Sequence, residues 1–97
     1  MAELRFEWDE RKNRANQKKH GVSFEEARSV FFDQDAVEYY DDEHTEWEDR
    51  FLLVGASAKL RILLVCHCHR EGGNVIRIIA ARKANKAQRK DYPWGGR

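Results

Sequence analysis

Three β-rich runs in the second half of the chain constrain the fold most: Arg50–Ser57, Leu60–His69 and Val75–Ala81. Ser57-Ala58-Lys59 offers a turn between the first two, and Glu71-Gly72-Gly73-Asn74 a stronger one before the third. Neither link has room for the crossover that parallel neighbours need, so the runs are expected to form an antiparallel meander. Upstream, Ala36–Tyr40 is short and β-prone. Leu4–Trp8 alternates apolar and polar residues, with Leu4, Phe6 and Trp8 on one side.

Two helices are expected between these early strands. Asp9 is a good N-cap, Glu10 places a negative charge in the first turn, and the helix runs to Lys19 or His20, where Gly21 supplies a left-handed stop. Ser23 and Glu26 have capping-box spacing, and Phe24, Ala27 and Phe31 recur at the helical period, so a second helix should pack its apolar side inward until about Asp33. A short basic helix is expected from Ala84 to Asp91, ended by Tyr92 and Pro93, with Trp94–Arg97 as a loose tail. The order β-α-α-β-β-β-β-α predicts a single α+β domain over residues 1–97. It has two layers: a mostly antiparallel four- to five-stranded sheet, two N-terminal helices on one face, and a short C-terminal helix.

Charge distribution says more than the net value of +1. Nine of the 17 acidic residues fall between Asp33 and Asp49, a stretch with no Lys or Arg. The rest of the chain sets all 18 basic residues against the other eight acids, a basic body suited to phosphate. No apolar run is long enough to span a membrane and Met1–Glu10 lacks a signal-peptide core, so a cytoplasmic location and no membrane partner are expected. Cys66 and Cys68 lie two apart in an apolar run, too close on a strand for a good disulfide. They are expected reduced and buried.

Several motifs in order carry a family resemblance. They are Phe6-x-Trp8-Asp9, Lys12-Asn13, Asn16, and the run Lys19-His20-Gly21-Val22-Ser23-Phe24-Glu25-Glu26-Ala27. Then come Glu48-x-Arg50 with Gly55 and Ser57, and Arg77-Ile78-Ile79-x-Ala81-Arg82-Lys83-Ala84, ending at Tyr92. Over nearly the whole chain this pattern resembles the BrnT toxins of the RelE-like ribonuclease group. One departure is Leu60, where this type of hairpin calls for Gly. The resemblance implies a type II toxin that cleaves RNA without metal or cofactor to arrest growth. It also implies a BrnA-like ribbon-helix-helix antitoxin as partner, and operator DNA reached only through that antitoxin. The alternative is a non-catalytic module of the same fold that binds nucleic acid or protein.

Metal-independent cleavage by 2′-hydroxyl attack needs two proton transfers and a cationic cradle for the phosphorus transition state. Arg50, Arg77 and Arg82 are the cradle candidates, since a guanidinium stays charged and fits phosphate. Arg77, amid an apolar strand, reads equally as a structural ion pair, for instance with Glu48. Regular alternation sets Arg77 and Arg82 on opposite faces, so their convergence would need Arg82 beyond the strand end. His20 is the acid–base candidate by intrinsic pKa, or else caps helix carbonyls. Glu48 is a base or an orienter of Arg50. Lys12 and Lys19 share a helix face that either meets RNA or is simply solvated. Lys83 and Tyr92 complete the RNA-binding candidates, Tyr92 with core packing as its alternative. Cys66-His67-Cys68-His69 alternates across a strand, so its four ligands cannot converge, and no metal site is expected. The acidic segment from Glu43 to Asp49, with His44 and Trp47, is either an antitoxin docking loop or a solvated one.

Overall fold

The computed structural model describes residues 4–43 and 48–93. The readings placed on His44, Trp47 and the tail Trp94–Arg97 fall outside them. Eight elements follow the expected order: β1 (Arg5–Glu7), α1 (Glu10–His20), α2 (Phe24–Ser29), β2 (Val37–Tyr40), β3 (Arg50–Ala56), β4 (Ile62–Arg70), β5 (Val75–Lys83) and α3 (Lys86–Arg89).

The meander β2–β3–β4–β5 is antiparallel throughout. β1 joins it on the far side of β5 and runs parallel to it, giving the sheet order β1-β5-β4-β3-β2. β1 ends at Glu7 opposite Arg77, so among the described residues the C-terminal half of β5 has no strand beyond it. α1 closes that edge with a side chain. Asn16 donates to the Ala81 carbonyl at 2.7 Å and to Val22 O at 2.8 Å, while its Oδ1 accepts from Ala81 N at 3.1 Å. A buried amide thus substitutes for a missing strand neighbour, which explains a polar residue on the inner side of α1.

Both helix starts are as the sequence implies. Asp9 accepts from Arg11 N and Lys12 N, and Ser23 Oγ accepts from Glu26 N. The capping box of α2 is only half made, because the Glu26 side chain turns away. It takes Ser57 Oγ at 2.7 Å and Arg61 Nε at 2.9 Å, with Arg61 Nη2 also on its other oxygen. Arg61 reaches on to the Gly21 carbonyl at 3.0 Å, so one buried carboxylate ties α2, the end of α1 and the β3–β4 turn together. α2 closes in a 3-10 turn over Val30–Phe32, slightly short of Asp33.

Phe24, Ala27 and Val30 pack on Leu53, Leu63, Val65, Ile76, Ile78 and Ala81, the side of the sheet that α1 and α2 cover. The opposite side holds a smaller cluster of Val54, Leu64, Ala84 and Tyr92, partly roofed by the C-terminal segment. α3 is shorter than expected, four residues started by Asn85. Among the described residues no helix is long and apolar enough to cross a membrane.

Leu60 occupies the turn position where Gly was the expectation, and its φ is +61°. Left-handed backbone costs a branched L-residue about 1–2 kcal/mol, against about 0.5–1 kcal/mol for the extra unfolded-chain freedom of glycine. The side chain is 88% exposed and contributes little packing. Leu60→Gly is therefore expected to stabilise the fold by about 0.5–1 kcal/mol in urea unfolding. A loss of stability would mean that Leu60 makes contacts outweighing its backbone strain.

Candidate nucleic-acid site on the open sheet face

An irregularity in β5 builds the site. Cys68 opposes Arg77 and His67 opposes Ile78, but Cys66 then opposes Ala80, leaving Ile79 as an extra residue. Such a bulge resets the side-chain alternation. Arg82, opposite Leu64, thereby joins Arg77 on the side of the sheet away from α1 and α2, without leaving the strand. Arg50 opposes Cys68 from β3, so all three arginines project from one face.

Their surroundings divide them. Arg77 Nη1 lies 3.0 Å from Glu7, the acid delivered by the parallel strand β1. Glu48 sits 3.2 Å from Arg70, whose Nε is also 3.8 Å from Glu7. Arg77 and Glu48 thus belong to a four-residue charge network at the β1 end of the face. Arg50 and Arg82 instead line one groove of about 630 Å³, together with Leu52, Cys66 and Ala80 and the acids Asp41, Asp42 and Glu43. Arg82 is aimed by α3: its Nη1 donates to Gln88 Oε1 at 3.1 Å. The same oxygen accepts from Asn85 N at 2.9 Å, so the cap of α3 also positions the guanidinium.

The groove continues over the free edge of β5. His20 shares a cavity of about 200 Å³ with Cys66, Ala80 and Arg82. Lys12 and Lys19 share the next, about 230 Å³, with His20, Ile79 and Ala80. Asn16 fixes this face of α1 against the strand. Lys12, Lys19, His20, Arg82 and Arg50 therefore follow one channel. Lys83 is exposed at the end of β5 and lines none of these cavities. Tyr92 is buried, and its hydroxyl donates to Asp33 at 2.5 Å. Burial first, then Asp33, push the phenol up to about 12. Burial also pushes Asp33 up, but donation from Tyr92, Ala56 N and Asp35 N outweighs it and leaves the carboxyl lowered.

Both cysteines are free thiols; Cys68 is buried and Cys66 half-buried in the groove. Burial pushes both thiols up, which keeps them protonated and unreactive. They point to the open face, and His67 and His69 to the other, as strand alternation requires. The four therefore do not converge. The two histidines do meet a residue that the motif did not contain: Glu38 of β2, at 2.8 Å from His67 Nε2 and 3.1 Å from His69 Nε2. Glu38 is 29 residues from His67, and its only sequence signal was a charge inside a β-prone run. Gln88, Asn85 and Asn16 were likewise silent as site residues.

Comparison with known proteins agrees with this architecture. A crystal structure of the Brucella abortus ribonuclease toxin BrnT superposes with a TM-score of 0.63 over 86% of this chain and 99% of that one, at 24% identity, a likeness of fold. No curated protein sequence matches the chain. The family described as "Ribonuclease toxin, BrnT, of type II toxin-antitoxin system" matches residues 8–88. That span covers both helices, the whole meander and the channel between α1 and α3, and the chain belongs to the BrnT family of ribonuclease toxins of type II toxin–antitoxin systems.

Proposed function

We propose that the channel from Lys12 to Arg50 binds RNA across a scissile phosphate and cleaves it by attack of the ribose 2′-oxygen, without a metal. The observation that carries this reading is the bulge at Ile79, which brings Arg82 to the same face as Arg50. Two guanidiniums in one groove offer planar, permanently charged donors to the phosphorane oxygens. The 2′-oxygen forms its bond to phosphorus while the bond to the 5′-oxygen breaks. The 2′-oxygen loses a proton and the leaving 5′-oxygen gains one. His20, beside Arg82, serves one of these transfers and water the other. Lys12 and Lys19 hold flanking phosphates, and Lys83 adds charge at the strand end.

Arg77 and Glu48, in the charge network at the β1 end and outside the groove, shape the face rather than touch the phosphate. Tyr92 anchors the C-terminal segment. The antitoxin partner is of the BrnA-like ribbon-helix-helix type and carries the operator DNA contacts. The toxin works in the cytoplasm, where free thiols persist.

Induction in a bacterial host tests this as a whole. Wild type is expected to arrest growth and fragment total RNA, Arg82→Ala to do neither at equal expression, and a co-expressed antitoxin to restore growth. Normal growth with intact RNA from folded, well-expressed wild type would sink the nuclease reading and favour a binding module.

A further inference from the structure

Glu38, His67 and His69 lie on the helix side of the sheet, with the strands between them and the arginine groove. Their donor atoms all fall within 4.8 Å of one another. A tetrahedral ion with bonds of about 2.0–2.1 Å separates its ligand atoms by about 3.3 Å. The histidine nitrogens, at the wide end of that span, would have to close by a swing of the partly exposed His69 ring, and admitting an ion also asks for a small withdrawal of the Glu38 carboxylate from its contacts at 2.8 and 3.1 Å. The Glu38 side chain, 40% exposed on an edge strand, is free to make it.

The hydrogen bonding at His67 points the same way. Its Nδ1 lies 3.1 Å from the Val65 carbonyl, which only accepts, so Nδ1 carries the hydrogen. In the neutral ring Nε2 then presents a lone pair, and it faces a carboxylate oxygen, another acceptor. Something positive must lie between them. A proton there makes either a fully buried imidazolium or a protonated Glu38. A metal cation satisfies both lone pairs with the ring neutral. The Nδ1–H to backbone carbonyl bond is also the support that metal-bound histidines use to fix tautomer and orientation.

Aromatic neighbours pack against both rings. Phe31 meets His67 edge-on at 4.8 Å, Phe51 stacks on it at 6.1 Å, and Phe51 meets His69 at 4.8 Å. His69 is 34% exposed, so the fourth position of a tetrahedron opens to water.

We propose that Glu38, His67 and His69 bind one divalent cation of the zinc type through a carboxylate oxygen and the two Nε2 atoms, clamping edge strand β2 to β4 across β3. Two imidazoles and one carboxylate suit a borderline ion better than calcium or magnesium, which prefer all-oxygen shells. This inference is independent of the RNA reading, since the clamp and the groove occupy opposite faces.

The test uses the full chain stripped by chelator and titrated with zinc alone, followed by calorimetry and thermal unfolding. One zinc per chain and a raised Tm are expected. Glu38→Gln and His69→Asn, both at accessible positions, should each weaken binding about 100-fold or more. Cobalt(II) should give tetrahedral d–d bands with no thiolate charge-transfer band, which separates this set from Cys66 and Cys68. Absence of saturable zinc binding, wild-type affinity in both variants, or a thiolate band would each overturn the proposal.

Discussion

Arg82→Ala is expected to slow cleavage of a labelled RNA by about 10²–10³-fold, the usual consequence of removing one preorganised donor from a charged transition state. The loss should appear at saturating RNA, because the guanidinium acts on charge that develops during the reaction. Arg50→Ala should behave similarly, as both side chains line the same groove. Arg77→Ala should differ in kind. Its guanidinium pairs with Glu7 between β1 and β5, half-exposed, so its loss should cost about 1 kcal/mol of stability or less and leave most of the rate. Gln88→Ala removes the oxygen that aims Arg82 and should give an intermediate loss with the fold intact. A profile in which Arg77→Ala alone abolishes cleavage would move the phosphate to the β1 end of the face.

Arg61→Ala is expected to destabilise the protein by about 3–5 kcal/mol. The two partners are unequal: the Glu26 side chain is 2% exposed and that of Arg61 28%. Removing the arginine therefore strands a carboxylate with Ser57 as its remaining side-chain donor, whereas Glu26→Gln leaves an arginine that reaches water. At about 4–8 °C per kcal/mol for a domain of this size, the Tm should fall by roughly 20 °C. The pH dependence supplies a signature. In wild type the Arg61 hydrogen bond, despite burial, holds the Glu26 carboxyl below its ordinary value of 4.5. Its stabilisation is therefore present above the unfolded value and is lost as pH falls through the folded one. Without Arg61, burial dominates and raises the carboxyl, so that variant should regain relative stability on acidification. Denaturant unfolding of both proteins between neutral and acid pH checks this. A deficit below 1 kcal/mol would place the pair among ordinary surface ion pairs.

Most of the fold was legible because its signals are local. Asp9, Ser23 and Gly21 mark helix ends, and the short links after Ala56 and Arg70 dictate antiparallel pairing. The partner of β1 was not legible, since a three-residue strand carries no mark of parallel or antiparallel pairing. Its parallel placement on β5 decides that Glu7, and not Glu48, meets Arg77. The bulge was equally hidden. Arg77-Ile78-Ile79-Ala80-Ala81-Arg82 reads as regular strand, and only the register with β4 reveals that Ile79 is extra. The residues that aim or anchor the channel, Gln88 and Asn16, act through contacts 6 and 65 residues away, and Glu38 meets its histidines across the intervening strand β3. Arginines and histidines announce chemistry by type, whereas an asparagine or glutamine does so only by position.

The measurement that bears most directly on the central claim is cleavage of a labelled RNA by the purified chain in excess chelator, with the ends of the fragments identified and the folding of each protein checked by its melting temperature. Wild type is expected to give fragments ending in a 2′,3′-cyclic phosphate, and an Arg82→Ala protein that melts like wild type few or none. Intact RNA with folded wild type, or fragments formed by Arg50→Ala and Arg82→Ala as readily as by wild type, would contradict that claim.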